Sequence, residues 1–211
     1  MDQNSDNSEA IKFWELLRNR SIEAPLLGRN IIIPLIISLK KEKSIALLDV
    51  GGASNPIISK ISKENGKSID YFVLDRPEVG NLIRAYGDEP GINVVDRLED
   101  INTSKTYKII YFGSSVQYLH DDKTLESMFA WGANLIIFAD SVFSTSEDLW
   151  VKQINMKPLQ FPNHWWSLEK LKSMAFAHNY HLVSRMTTST GEHLHNVMGK
   201  SFYQTLVFKR T

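Results

Sequence analysis

From residue 44 onward, short apolar runs alternate with segments of helical periodicity. The runs at 45–50, 69–74, 92–95, 109–112 and 135–139 are almost continuously apolar, as strands covered on both faces of a parallel sheet must be. Between them, Val79, Leu82, Ile83 and Tyr86 fall at i, i+3, i+4 and i+7 behind Pro77, which predicts a helix with one apolar face. Leu125, Met128 and Phe129 repeat this spacing after Asp121, and Leu168, Leu171 and Ala175 do so after Ser167. Asp121 and Ser167 are the residue types that cap a first turn. Two β-like segments, 181–184 and 202–208, close the chain across a polar stretch of about seventeen residues. Strands alternating with helices predict an α/β fold with crossover helices.

The residues ahead of this pattern divide in two. Residues 1–8 have no apolar anchor apart from the first methionine and are expected to form a frayed tail. Residues 9–43 carry Ile11, Trp14 and Leu17 at helical spacing and a second apolar stretch at 26–39 after Pro25, so they are expected to form an N-terminal helical cap on a domain spanning 44–211.

Composition narrows the function classes. A chain of 211 residues is the size of one domain with a short extension. Its 24 Lys and Arg balance 24 Asp and Glu, so no global field draws it to nucleic acid. With no cysteine, disulfides, thiolate metal sites and cysteine nucleophiles are all excluded. The longest apolar stretch, 31–39, is about half the roughly 20 residues of a membrane span, and the start of the chain has no signal-like pattern. A cytoplasmic location is expected, where the Asn102-Thr103-Ser104 sequon would have no use.

The chemistry is concentrated where the first strand ends, in Leu47-Leu48-Asp49-Val50-Gly51-Gly52-Ala53-Ser54-Asn55-Pro56. Two glycines directly after a strand allow a sharp turn and close approach of backbone to a ligand; Ser54 or Asn55 can cap the following helix, with Pro56 in its first turn. In a doubly wound sheet such a turn borders the nucleotide crevice, although an ordinary strand-to-helix turn has the same composition. A dinucleotide site would need a third glycine, which is absent, and Asp49 would repel a pyrophosphate. The same carboxylate suits a ligand carrying ammonium and sulfonium groups, which points to S-adenosylmethionine. Asp75, with Arg76 beside it, ends the second strand about 25 residues after the glycines, where an acid can accept hydrogen bonds from ribose hydroxyls or instead cap the Pro77 helix. Asp96 ends the third strand, within reach of an adenine amino group or simply within a charged loop.

Asp49-Val50-Gly51-Gly52, Asp75 and the run Ile109-Ile110-Tyr111-Phe112-Gly113-Ser114-Ser115-Val116-Gln117-Tyr118-Leu119 resemble motifs of the class I S-adenosylmethionine-dependent methyltransferases. The Ser-Ser-x-Gln-Tyr-Leu core and Phe161-Pro162-Asn163-His164-Trp165-Trp166-Ser167 resemble, more narrowly, a group of bacterial methyltransferases found among surface-polysaccharide genes. The resemblance implies a Rossmann-like, doubly wound, mostly parallel seven-stranded sheet with an antiparallel last strand. It implies that Gly51, Gly52 and Ala53 line the methionine portion, that Asp49 holds its amino group and that Asp75 binds the ribose. Gly113 and Ser114 would stand at the end of the fourth strand beside the methyl donor. The sequence departs from the commoner pattern in its Gly-Gly-Ala-Ser-Asn turn and in Lys108 at the start of that strand.

Methyl transfer from a sulfonium depends more on positioning a nucleophile than on acid and base groups, but a hydroxyl acceptor can require a base. His164, between Pro162 and the Trp165-Trp166 pair, is the preferred base, with a structural histidine as the alternative. His120 follows the fourth strand and reads mainly as the polar start of a helix. Tyr118, Asp140, Trp165, His193 and His195 are candidate acceptor contacts; Glu192-His193-Leu194-His195 lacks metal-site spacing and a fourth ligand, and no metal is expected. The reading is therefore methyl transfer to an oxygen of a sugar, polysaccharide precursor or other small molecule. A non-catalytic S-adenosylmethionine-binding protein of the same fold and, less favoured, an NAD-dependent reductase are the rivals.

Overall fold

The computed structural model describes residues 44–52, 68–86, 92–102, 106–156, 159–189 and 201–211; the tail and helical cap expected over 1–43 lie outside them. β1 (Ser44–Val50), β2 (Ser68–Leu74), β3 (Ile92–Val95), β4 (Ile109–Gly113) and β5 (Leu135–Ser144) form a parallel sheet in the order β3-β2-β1-β4-β5. The last strand, β9 (Ser201–Arg210), runs antiparallel beside β5 and carries β8 (Tyr180–Ser189) on its other edge. The expected Rossmann-like sheet with an antiparallel last strand is present, and the strand order reverses between β1 and β4.

Alternation along the strands sends side chains into two cores. Leu48, Val50, Phe112 and Phe138 pack on one face with α2 (Asp122–Ala130) and α3 (Leu168–Ala177). Leu47, Tyr71, Tyr111 and Ile137 pack on the other, where α1 (Pro77–Tyr86) contributes Val79 and Ile83. The anticipated caps are made: Asp121 accepts the Thr124 N–H at 2.8 Å and Ser167 accepts the Lys170 N–H at 3.4 Å. Among the described residues, no helix is long and apolar enough to cross a membrane.

Two features depart from the sequence expectation. β5 does not stop at residue 139 but continues to Ser144 across an irregularity between Phe138 and Ser141, where Asp140 takes φ 48°. Asp140 therefore occupies a bulge within the strand rather than its end. The second is an antiparallel hairpin of β6 (Leu149–Met156) and β7 (Leu159–Ser167), inserted between β5 and α3. β4 pairs with β5 only as far as Gly113 and Ala139, and beyond that point Trp166 and Ser167 of β7 pair with Phe143 and Ser144. The hairpin thus takes over the β5 edge just past the carboxyl end of β4.

A polar clamp ties the hairpin to α3. Asp148 accepts the Ser167 N–H and the Lys170 ammonium, each at 2.7 Å, and Lys170 also reaches Asp122 at 2.7 Å. Burial acts to raise the Asp148 pKa, but the Lys170 and Ser167 hydrogen bonds outweigh it and hold the carboxyl below its ordinary value. Burial acts to lower the Lys170 pKa, but Asp122 and Asp148 outweigh it and hold the ammonium above its ordinary value. The Asp148 contribution is therefore complete above the usual carboxylate pKa and is lost as pH falls through the depressed value; that of Lys170 is complete below its usual pKa and is lost as pH rises through the elevated one. Asp148→Asn is expected to lower stability by about 1 kcal/mol, the low end for a charged hydrogen bond because Lys170 is partly solvated. Denaturant melts at several pH values should show that difference at neutral pH and its disappearance in strong acid; an equal deficit at every pH would mean that the carboxylate charge is not its source.

Candidate functional site

The site begins where β1 gives way to the two glycines. Gly51 turns with φ 66°, a conformation L side chains rarely adopt, and its N–H donates to Leu74 O at 2.8 Å, fastening the turn to the end of β2. A Cβ on Gly51 would come within 2.8 Å of the Ser115 Cβ, while Ser115 Oγ donates to Val50 O. A Cβ on Gly52 would fall on the Asp49 carboxylate. Asp49 itself is 1 % exposed and accepts the Tyr71 hydroxyl at 2.6 Å. The backbone of the turn is consequently pressed against its neighbours and presents no side chain to whatever lies above it.

Above it is a cavity of about 510 Å³ at the carboxyl ends of β1, β2, β3 and β4, a volume within the range of small-ligand pockets. Gly51, Asp75, Arg76, Asp96, Ser115 and Tyr118 line it, together with apolar surface from Leu98, Leu119 and Met128. Asp75 is held at the wall on both sides: its N–H donates to Val95 O at 3.1 Å, and its Oδ1 accepts the Arg76 N–H at 2.8 Å. Asp96 places Oδ2 2.6 Å from Arg84 of α1, and its other oxygen packs where a Cβ on Gly80 would have to go. Helix α1 can approach the end of β3 this closely because residue 80 is glycine.

The sequence candidates separate clearly in space. Gly51, Asp75, Arg76, Asp96 and Tyr118 come together at the cavity. Asp49 does not line it but lies beneath the turn, in contact with the position of Gly52. Gly113 and Ser114 end β4 behind the lining; Ser114, at φ 57°, donates its N–H to Ala139 O and its hydroxyl to Asp140 O, bridging β4 to the β5 bulge. Asp140 in turn donates its backbone N–H to Thr205 Oγ1 at 3.1 Å. Ala53, Ser54, His193 and His195 lie outside the described residues.

The histidines exchange places relative to expectation. His164 is 3 % exposed and is not part of the cavity wall; its ring stacks on Trp150 at 4.5 Å and 7° and packs on Trp166 at 4.0 Å, with Nε2 3.1 Å from Asp148. Trp165 is buried on the opposite face of β7. His120, which the pattern placed at the start of a helix, lines the cavity, with Nε2 3.2 Å from the Pro162 carbonyl oxygen and its ring 5.3 Å from that of Trp150. Sequence reasoning also passed over Ser115, although it stands inside the Ser-Ser-x-Gln-Tyr-Leu run, and Pro162, whose role required knowing that 159–167 is a strand.

No family model matches the chain, and no curated protein does. Solved structures do match. A S-adenosylmethionine-dependent methyltransferase from Clostridium acetobutylicum superposes with a TM-score of 0.57 at 12% identity, over 95% of this chain and 99% of that one. A TehB-like methyltransferase from Corynebacterium glutamicum gives 0.59 at 14% identity, over 97% and 99%. The 1,6-didemethyltoxoflavin-N1-methyltransferase of Burkholderia thailandensis, with 1,6-didemethyltoxoflavin and S-adenosylhomocysteine bound, gives 0.58 at 12% identity, over 97% and 87%. The likeness extends over nearly the whole chain, and at these identities it establishes the fold: this protein has the architecture of the class I methyltransferases.

Proposed function

We propose that the protein is an S-adenosylmethionine-dependent methyltransferase that acts on an oxygen of a small molecule, with a sugar or polysaccharide precursor as the acceptor class. The observation that carries this reading is the cavity at the strand-order reversal, bounded by a side-chain-free glycine turn on one side and by Asp75 on the other. These residues fit the cofactor. The close-packed backbone at Gly51 and Gly52 accepts the methionine portion without steric conflict, and the Asp75 carboxylate, oriented by the Arg76 N–H, accepts from ribose hydroxyls. Leu98 and Met128 supply apolar surface for a purine, and Asp96 stands at the same wall for its amino group. Asp49 acts from below, as the residue that positions the turn. The cofactor, when bound, supplies an electrophilic methyl group whose leaving thioether requires no acid.

The chain's own contribution is to orient the acceptor and remove its proton. His120 is placed for the second task. A carbonyl oxygen can only accept, so the contact with Pro162 assigns the proton to Nε2, and the lone pair of the neutral ring is then on Nδ1. Trp150 packs against His120 and stacks on His164, so His164 supports the ring that flanks the base and acts as a positioning residue. A base of this kind favours an oxygen acceptor, because a hydroxyl must lose its proton as the new bond forms. The toxoflavin-precursor neighbour methylates nitrogen by its name, so the choice of oxygen here rests on His120 and on the sequence resemblance.

S-adenosylhomocysteine at about one hundred times its Kd should add roughly 2.7 kcal/mol of stability, read as a thermal shift that NAD does not produce. Asp75→Ala should remain folded and lose most of that shift; an unchanged shift would place the ribose elsewhere. His120→Gln keeps an N–H for Pro162 and removes the titratable lone pair. It should leave the thermal shift intact and reduce transfer of labelled methyl from S-adenosylmethionine to acceptors in cell extract by about 10²–10⁴-fold. Undiminished transfer would return the role of base to another group.

A further inference from the structure

The outer part of the hairpin carries two side chains whose exposure the fold does not explain. In register across β6 and β7, Trp150 stands opposite His164 and Lys152 opposite Pro162. The Trp150 ring stacks on His164, while Gln153 Oε1 accepts from Asn163 Nδ2 on the other side, so the alternation of faces holds from 150 to 153. Trp150, Lys152, Pro162 and His164 therefore share one face. Along that face Trp166 and His164 are buried, whereas Pro162, Lys152 and Trp150 are exposed.

Trp150 is held as an oriented plane. His164 lies nearly parallel to it at 4.5 Å, packs in turn on Trp166, and has Nε2 3.1 Å from Asp148. His164 Nδ1 is buried with no hydrogen-bond partner, a penalty that an aliphatic residue in its place would not carry. With its inner face covered in this way, the indole is still 59% exposed. Lys152 is exposed as well, and among the described residues its ammonium has no ion-pair or hydrogen-bond partner. The acids of the neighbouring elements are engaged, Asp148 and Asp122 by Lys170 and Asp121 by the Thr124 N–H. Both exposed side chains border the cavity. The His120 ring, which lines it, is 5.3 Å from that of Trp150, and Pro162, the cross-strand partner of Lys152, lines it too.

We infer that Trp150 and Lys152 form the docking surface for the acceptor at the cavity rim, and that this acceptor is a phosphorylated sugar. Its ring lies on the open indole face, its phosphate meets Lys152, and one of its hydroxyls reaches His120. An indole face suits the apolar C–H face of a sugar ring, and a lysine on its flexible stem meets a phosphate as a point charge. Trp150 and Lys152 are roughly 7 Å apart along β6, so a phosphate bonded directly to the stacked ring falls within reach of the ammonium. A free sugar phosphate and a nucleoside diphosphate sugar share this chemistry. The inference rests on the methyltransferase reading and adds an anionic group to the acceptor class named there.

The test is calorimetry on the full chain saturated with S-adenosylhomocysteine. The probes are the 1-phosphates of glucose, galactose and mannose, the corresponding uridine and guanosine diphosphate sugars, the methyl glycosides as neutral counterparts, and 4-hydroxybenzoate as an anionic ring that is not a sugar. At least one phosphorylated sugar should bind about tenfold more tightly than its methyl glycoside, by a margin that shrinks as salt is added. Lys152→Gln should keep the wild-type melting temperature and the thermal shift from S-adenosylhomocysteine, and lose that margin. Trp150→Leu should weaken the same probe about tenfold, and Trp150→Phe should recover part of the loss. Tighter binding of the nucleotide form would support the inference with a nucleoside diphosphate sugar as the source, and equal or weaker binding of that form would support it with a free sugar phosphate. Equal affinity for phosphorylated and neutral probes, a margin that survives Lys152→Gln, wild-type affinity in Trp150→Leu, binding of no sugar, or preference for 4-hydroxybenzoate would each overturn the inference while leaving the methyltransferase reading in place. Absence of any response to S-adenosylhomocysteine would instead remove the reading on which it rests.

Discussion

The structure depends on how little room there is around Gly51 and Gly52. Asp49 is buried beneath the second glycine, Ser115 presses against the first, and Tyr71 from β2 donates to the Asp49 carboxylate. Gly51 N–H to Leu74 O and Ser115 Oγ to Val50 O complete a knot that binds the carboxyl ends of β1, β2 and β4 at one point. A side chain at either glycine would have to displace one of these partners. Burial of the Asp49 carboxyl group is tolerable only with hydrogen bonding to it, which is why the tyrosine hydroxyl belongs to the same constraint. The floor of the cavity is therefore rigid backbone, as is required of a surface that a ligand must approach closely.

The opposite wall is built on a different principle. β5 has two edges, and β9 occupies one of them as far as Ser144. The other is taken first by β4 and then, past the bulge at Asp140, by β7. The bulge is held by Ser114, directly after β4, and Thr205 from β9, so the change of partner is fixed from both sides. Asp148 and Lys170 then lock the hairpin to α3, and the Trp166 indole N–H donates to Val116 O at 3.1 Å, tying β7 to the 3₁₀ helix Val116–Tyr118. A sheet whose first five strands build a nucleotide-type crevice in this way acquires a second wall from a short insertion rather than from another domain.

Most of this sheet was legible in the sequence, and the reason is burial. β1, β4 and the first half of β5 are covered on both faces, so almost every position is apolar and the strand is visible without regard to its partners. α2 and α3 were legible because Asp121 and Ser167 stand directly before their apolar stripes. The hairpin was not. β7 contains Pro162, Asn163 and His164, residues that weaken a local strand signal, and its pairing is fixed by long-range contact with β6 and the tip of β5. The cavity lining was legible to the same depth: residues at strand ends, such as Gly51, Asp75 and Asp96, line it because the fold fixes where strands end. His120 was read mainly as the polar start of a helix, and Ser115 was passed over, because their position depends on the turn that follows β4.

The positions of His164, buried in the hairpin, and His120, at the cavity, show how local chemistry can mislead. Proline and two tryptophans beside His164 suggest a stacking surface for a ligand, and stacking does occur, but between Trp150, His164 and Trp166 within the protein. Two aromatic neighbours on adjacent positions of a strand cannot both face a ligand, since adjacent side chains point to opposite faces. Trp166 accordingly enters the core with Val116 and Phe143, and Trp165 turns to the face it shares with Asn163. Among the described side chains of the hairpin, the exposed aromatic is Trp150, 59% exposed, whose inner surface is spent on His164 and whose edge steadies His120. One strand thereby divides its contacts by parity: on the even side His164 stacks on the Trp150 ring that flanks His120 and Pro162 meets the His120 ring, and on the odd side Asn163 shares Gln153 Oε1 with the Tyr118 hydroxyl.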